Sequence, residues 1–172
     1  MNEITEFTYM GVRLKYNPET GECWRKISAG RWRLITPGAD AGIYTKLYTC
    51  GRSFKLHRII AEVFLNGGKP LTATQQVDHI QHADGSHTQD RLSNLRIVSR
   101  SQNGMNQRIA RNNTSGYKGV SWETKANKWR AAIVSCGRTK YLGCFPTAES
   151  AASAYDNAAK ELHGEFAKLN FT

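Results

Sequence analysis

The chain has 172 residues, enough for one domain or two small ones, and in the second case each half would sit near the size at which a core is marginal. Its 24 basic and 14 acidic residues leave a net charge of +10 and a pI near 9.7, a balance that points to a polyanionic partner. Cys23, Cys50, Cys136 and Cys144 form no C-x-x-C pair, which excludes the usual structural zinc knuckle and a secreted disulfide framework; they read as reduced, mostly buried thiols of a cytoplasmic protein. The acidic start from Met1 to Glu6 has no apolar run, so neither a signal peptide nor a membrane span is expected.

From residue 1 to about 56, short apolar and aromatic runs alternate with turns: Val12 to Tyr16, Cys23 to Ile27, and Trp32 to Ile35 before Pro37-Gly38. This predicts a small antiparallel sheet. Trp24, Arg25, Lys26, Arg31, Trp32 and Arg33 fit two readings, a DNA-facing patch or core tryptophans flanked by solvated charge. Beyond His57, the apolar positions Ile59, Ile60, Val63 and Phe64 have helical spacing, and Gly67-Gly68 with Pro70 ends the helix.

The next stretch carries the chemistry. Val77-Asp78-His79-Ile80 sets an acid beside an imidazole, and on an extended strand the two side chains point to opposite faces. Leu95 to Val98 reads as a second, β-branched strand. Ser99, with Gln102 three residues on, makes a capping box that starts a helix and puts Asn103 in its first turn. Asp78 and Asn103 offer oxygen ligands that suit magnesium or manganese, with Asn106 as the rival to Asn103.

This order of residues resembles the HNH (His-Me finger) endonucleases, in particular phage and intron-encoded members whose last metal-binding His is replaced by Asn. The resemblance implies a ββα-metal nuclease: His79 the general base, Asp78 and Asn103 the ligands of one divalent ion, and Asn94 a clamp on the loop between the strands. His57 matches an upstream His of these enzymes, in a role left open between substrate contact and scaffold. The stretch from Gln81 to Asp90 is longer than the family loop and adds His82 and His87.

From near residue 99 a connector carries Arg100, Arg108 and Arg111 and no acid, ending in a polar tether at 111–115. Three strands are predicted next, over Tyr117–Trp122, Lys128–Ile133 and Tyr141–Phe145, with turns around Ala126-Asn127 and Cys136-Gly137. Thr147 then caps a helix whose stripe is Ala151, Ala154, Tyr155, Ala158 and Leu162, with Gly164 to end it. Gly119-Val120, Trp129, Leu142-Gly143, Phe145, Ala154-Tyr155-Asp156 and Leu169-Asn170-Phe171 resemble the plant ethylene-response-factor (APETALA-type) DNA-binding domain, which also occurs fused to phage HNH nucleases. The resemblance implies a three-stranded sheet in the major groove. Lys118, Lys128, Arg130, Arg138, Lys140 and Tyr141 are the expected DNA contacts. Ser121 and Thr139 replace family arginines, so base specificity does not carry over.

The expected fold is therefore α+β: a nuclease domain over 1–110, a tether at 111–115, and at 116–172 a small three-stranded antiparallel sheet on one helix. The expected function is site-selective, metal-dependent cleavage of double-stranded DNA by a monomer or weak dimer, without a small-molecule cofactor or structural zinc. A non-catalytic DNA-binding regulator with a decayed nuclease is the alternative. The sequence leaves nicking and double-strand cleavage equally open.

Overall fold

Two-residue hairpin loops organise both halves of the molecule. Met10-Gly11, Cys50-Gly51 and Cys136-Gly137 each take positive φ at both positions, the sign pattern of a type I′ turn, whose twist matches that of the strands it joins. This use of Cys50 and Cys136 corrects the expectation of mostly buried thiols: both are exposed at turn tips, Cys144 is half-buried, and Cys23 alone is buried. All four are free. Burial pushes the Cys23 thiol up to about 12, so it is inert.

The structure is a computed structural model that describes residues 3–28, 30–36, 44–81, 90–107, 109–110 and 112–171. His82, His87, Arg108, Arg111 and the Pro37-Gly38 turn lie outside the described residues. The chain divides into two compact units, Met1–Val98 and Ser99–Thr172.

In the first unit β1 (Thr5–Tyr9), β2 (Val12–Tyr16), β3 (Cys23–Lys26) and β4 (Trp32–Leu34) form an antiparallel meander in that order. Strand alternation sends Leu14, Tyr16 and Cys23 into a core shared with Leu47, Leu56, Ile59, Ile60 and Leu95. Leu14 pairs with Arg25 and Lys15 with Trp24, so the basic-aromatic segment is split between faces: Arg25 lies on the core side, while Trp24 and Lys15 share the open one. Lys26 pairs with Trp32 and sets its ammonium 5.8 Å from that ring. A further hairpin, β5 (Lys46–Thr49) and β6 (Arg52–Lys55), leads into helix α1 (Leu56–Ile60), which continues as a π-helical turn over Ala61–Leu65. Buried Glu62 ties that turn down, accepting from Tyr9 Oη at 3.0 Å, Arg58 Nε at 3.2 Å and Leu71 N at 3.3 Å. Strands β7 (Gln75–His79) and β8 (Leu95–Ser99) then pair with each other.

The second unit opens with helix α2 (Arg100–Met105), where Ser99 and Gln102 close the capping box from both sides. Strands β9 (Val120–Glu123), β10 (Lys128–Ser135) and β11 (Arg138–Phe145) form an antiparallel sheet with β10 central, covered on one face by α3 (Ala148–His163). Gly119 permits the closest approach: a Cβ there would stand 2.1 Å from the Tyr155 ring and 2.7 Å from Ala132 O, at φ +74. The buried stripe of α3 is Ala151, Ala152, Tyr155, Asp156, Ala158, Ala159 and His163. It is rotated from the expected one, with Ala154 and Leu162 at its margins, because two polar residues belong to it. His163 pairs through Nε2 with Val134 O at 2.9 Å, and Asp156 receives the C-terminal tail.

That tail is fastened by charge-assisted bonds. The Asp156 carboxylate accepts from Asn170 N at 2.8 Å, Asn170 Nδ2 at 3.0 Å and Phe171 N at 2.9 Å, while Asn170 Oδ1 accepts from Lys118 N at 2.6 Å. Asp156→Ala would strip those donors of their acceptor, and we expect it to lower stability by about 2–3 kcal/mol. A denaturant titration whose midpoint stays at the wild-type value would show that the tail is held by something else.

Candidate active site

His79 ends β7, and its surroundings come from three other segments. Its Nε2 lies 2.9 Å from Asp90 Oδ1, and both residues are buried. A carboxylate only accepts, so the imidazole proton sits on Nε2 and Nδ1 becomes the basic nitrogen. Asp90 is in turn fixed through its backbone, whose carbonyl accepts from the buried Tyr16 hydroxyl at 2.6 Å. The meander strand β2 thus positions the partner of His79. Desolvation raises the Tyr16 phenol above its ordinary range, which keeps it a donor.

His57, at the start of α1, packs edge-on against His79 with ring centroids 5.1 Å apart, and Tyr44 lies 4.7 Å from His57 and 6.1 Å from His79. Burial pulls the His57 pKa down to about 4, so that ring is neutral at physiological pH. Asp78 points elsewhere, as strand alternation requires. At 1% exposure its Oδ2 meets Arg96 Nε at 2.9 Å and the Arg96 Nη2 nitrogen at 2.8 Å, a close charge-assisted pair across β7 and β8.

Asn94 sits where the second strand begins. Its Oδ1 accepts from Gln81 N at 2.8 Å, its Nδ2 donates to Gln81 O at 3.0 Å, and its own carbonyl accepts from Ile80 N at 2.9 Å. One side chain thereby closes both backbone groups of Gln81 at the mouth of the loop. Asn103 is half-buried on α2, which belongs to the second unit; Asn106 is buried at the C-cap of the same helix.

The expected DNA contacts fall into three groups. Lys128 and Arg130 alternate with the buried Ala131 and Ile133 on β10 and so face away from α3, and Tyr141, paired with Ala132, joins them. The Arg130 guanidinium lies 5.7 Å from the Tyr141 ring centroid. Lys140 pairs with buried Ile133 and Arg138 with Ser135, so these two exposed cations sit on the helix side of edge strand β11. Lys118 also makes contacts within its own unit. Its ammonium donates to Gln107 O at 2.8 Å and to Met105 O, which holds the C-terminal end of α2, and burial lowers its pKa to about 8.

Sequence reasoning missed Asp90, Tyr16, Tyr44 and Arg96. A signal existed for Arg96, since it and Asp78 stand the same number of residues from the paired Asn94 and Ile80, with opposite charge. Nothing local distinguishes Asp90 from a solvated loop acid.

An HNH endonuclease of Acanthamoeba polyphaga mimivirus is 34% identical over 147 residues, which is 86% of this chain and 70% of that protein. The chain belongs to the HNH endonuclease family. Protein 3.8 of Escherichia phage T7 is 31% identical to this HNH chain over 116 residues, 67% of the chain and 93% of that protein. The AP2 domain family matches residues 115–165. An AP2-like ethylene-responsive transcription factor of Arabidopsis thaliana is 43% identical over 61 residues, 36% of the chain and 13% of that protein. Superposition on the HNH homing endonuclease I-HmuI spans 87% of this chain and 84% of that one, at 19% identity and a TM-score of 0.37.

Proposed function

We propose that this HNH protein is a DNA endonuclease of the homing type, which engages duplex DNA through its AP2 sheet and hydrolyses a phosphodiester bond at His79. The observation that carries the reading is the His79–Asp90 pair at 2.9 Å beside the Asn94-clamped loop, a base with its tautomer fixed. His79 Nδ1 takes a proton from water, the hydroxide attacks phosphorus, and the P–O3′ bond breaks with the departing oxygen taking a proton from solvent. The products carry 5′-phosphate and 3′-hydroxyl ends. Asp90 orients the ring and stabilises the imidazolium that forms.

Asp78 and Asn103 are the proposed ligands of one magnesium or manganese ion, and two oxygen donors of this kind fit a hard cation. When bound, the ion supplies positive charge to the phosphate and the departing oxygen. Arg96 shares the Asp78 carboxylate and keeps it in position. Lys128, Arg130 and Tyr141 supply phosphate contact and stacking from the open face, with Arg138 and Lys140 along the edge. Their register places arginine beside an aromatic ring on the side away from α3.

Nicking of supercoiled plasmid in magnesium, compared with chelator, tests the reading. Activity should vanish with chelator, and in Asn103→Ala it should fall and partly return at high manganese, whereas Asn106→Ala should show no such rescue. Chelator-resistant nicking would remove the ion from the mechanism, and the reverse rescue pattern would move the ligand to Asn106. DNA binding without any nicking would make the protein a regulator.

A further inference from the structure

The first unit gathers a second set of donors that the proposed hydrolysis does not use as ligands. His57, His79 and Asp90 are 6%, 5% and 7% exposed, and one ligand atom from each lies within 4.8 Å of the others. They arrive from α1, from the end of β7 and from the segment before β8. His57 Nδ1 is buried without a hydrogen-bond partner, an unusual state for a ring nitrogen inside a protein. Neutral imidazole is the form that a metal requires.

We propose that His57, His79 and Asp90 form a binding site for a transition-metal ion of the zinc class, distinct from Asp78 and Asn103, whose occupation withdraws His79 from proton transfer and inhibits the nuclease. Two imidazoles and one carboxylate are the donor set of open zinc sites, with a fourth position left for water. Magnesium prefers oxygen and does not compete well for it. With metal–nitrogen bonds near 2.0–2.1 Å, tetrahedral donors stand roughly 3.4 Å apart. Occupation therefore draws the donors inward from their present separation of up to 4.8 Å. As the ion takes the place between His79 Nε2 and Asp90, the neutral ring exchanges its proton through solvent from Nε2 to Nδ1, and the basic nitrogen is lost. Two cations oppose the ion: Arg58, which is paired with Glu62 at 3.2 Å, and Lys55, whose ammonium lies 4.5 Å from the Tyr44 ring centroid. Their repulsion lowers the affinity of the site.

The test is a calorimetric titration of the full chain with zinc in excess magnesium, with cobalt as a spectroscopic probe. Wild type and Asp78→Asn should bind one zinc ion each with similar affinity. Binding by His57→Ala and Asp90→Ala should be weaker by about tenfold or more. His57→Gln, which keeps most of the side-chain volume, replaces His57→Ala where the smaller residue prevents folding. Cobalt in the wild type should give the intense visible bands of a low-coordinate nitrogen site. Zinc should inhibit wild-type nicking, and His57→Gln should need about tenfold more zinc for the same fractional loss relative to its own zinc-free rate. Unchanged zinc affinity in the His57 and Asp90 variants would overturn the proposal, as would loss of binding in Asp78→Asn, which would put zinc on the proposed magnesium ligands. Weak octahedral cobalt bands would overturn it too. The calorimetric and spectral arms decide the site even if the chain nicks no DNA.

Discussion

His79→Ala is expected to slow plasmid nicking by about two to four orders of magnitude while changing DNA affinity little, because a neutral base moves a proton and neutralises no phosphate. The surrounding geometry sharpens this expectation. Asp90 acts on the reaction only through His79, so Asp90→Asn should cost less, about 10- to 100-fold, by losing the carboxylate that supports the imidazolium. In the double variant the Asp90 substitution should add almost nothing, since residues that act as a unit are not additive. Nicking rates for the four proteins, with gel-shift affinities measured in parallel, make the cycle. A double variant slower than His79→Ala by the full factor of Asp90→Asn would detach Asp90 from the base. Wild-type nicking by His79→Ala would remove the imidazole from the mechanism.

What the sequence made legible is local, and what it hid depends on partners distant along the chain. The Ser99–Gln102 capping box was readable because two residues three positions apart settle it, and the structure closes both of its bonds. The Cys136-Gly137 turn was readable for the same reason. Strand β1 was not, since Thr5-Glu6-Phe7-Thr8-Tyr9 reads as polar until β2 pairs with it. The stripe of α3 was misplaced because its alanines, all buried or half-buried, spread over a wide arc, so hydrophobicity alone does not orient it. Asp156 and His163, which do orient it, are buried through bonds to Asn170 and Val134, far away in sequence. In the candidate site Asp78 and His79 stood out as a pair of chemical groups. Asp90 gained meaning only from its 2.9 Å contact with His79, and its own position rests on Tyr16, 74 residues earlier.

Removing everything after Asn112 is expected to have the other large effect, and the distribution of charge sets its direction. Residues 1–98 hold 13 basic and 9 acidic residues, a net of +4, whereas 99–172 hold 11 and 5, a net of +6 in a smaller unit; the part removed, 113–172, takes 8 basic and 5 acidic residues with it, a net of +3. Each phosphate neutralised contributes a slope of about −0.9 in log affinity against log salt, so losing Lys128, Arg130, Arg138 and Lys140 should flatten the slope by roughly 3–4. Site choice should blur as the sheet disappears. By sequence alone the shortened chain keeps every catalytic candidate and should nick as before. The structure adds a second loss, because Lys118 holds the Met105 and Gln107 carbonyls at the end of α2, the helix that carries Asn103. The shortened chain should therefore also need more metal for the same nicking rate. Lys118→Met in the full chain separates the two losses: it should raise the metal requirement and leave the salt slope nearly unchanged, and Lys118→Arg should restore much of the difference. Gel-shift titrations at two salt concentrations, cleavage mapping and magnesium titrations of the full chain and these three variants provide the comparison. Unchanged sites with an unchanged salt slope in the shortened chain would take DNA targeting away from the AP2 sheet, and the open face of the meander, with Lys15, Trp24, Lys26 and Trp32, would be the surface left to carry it.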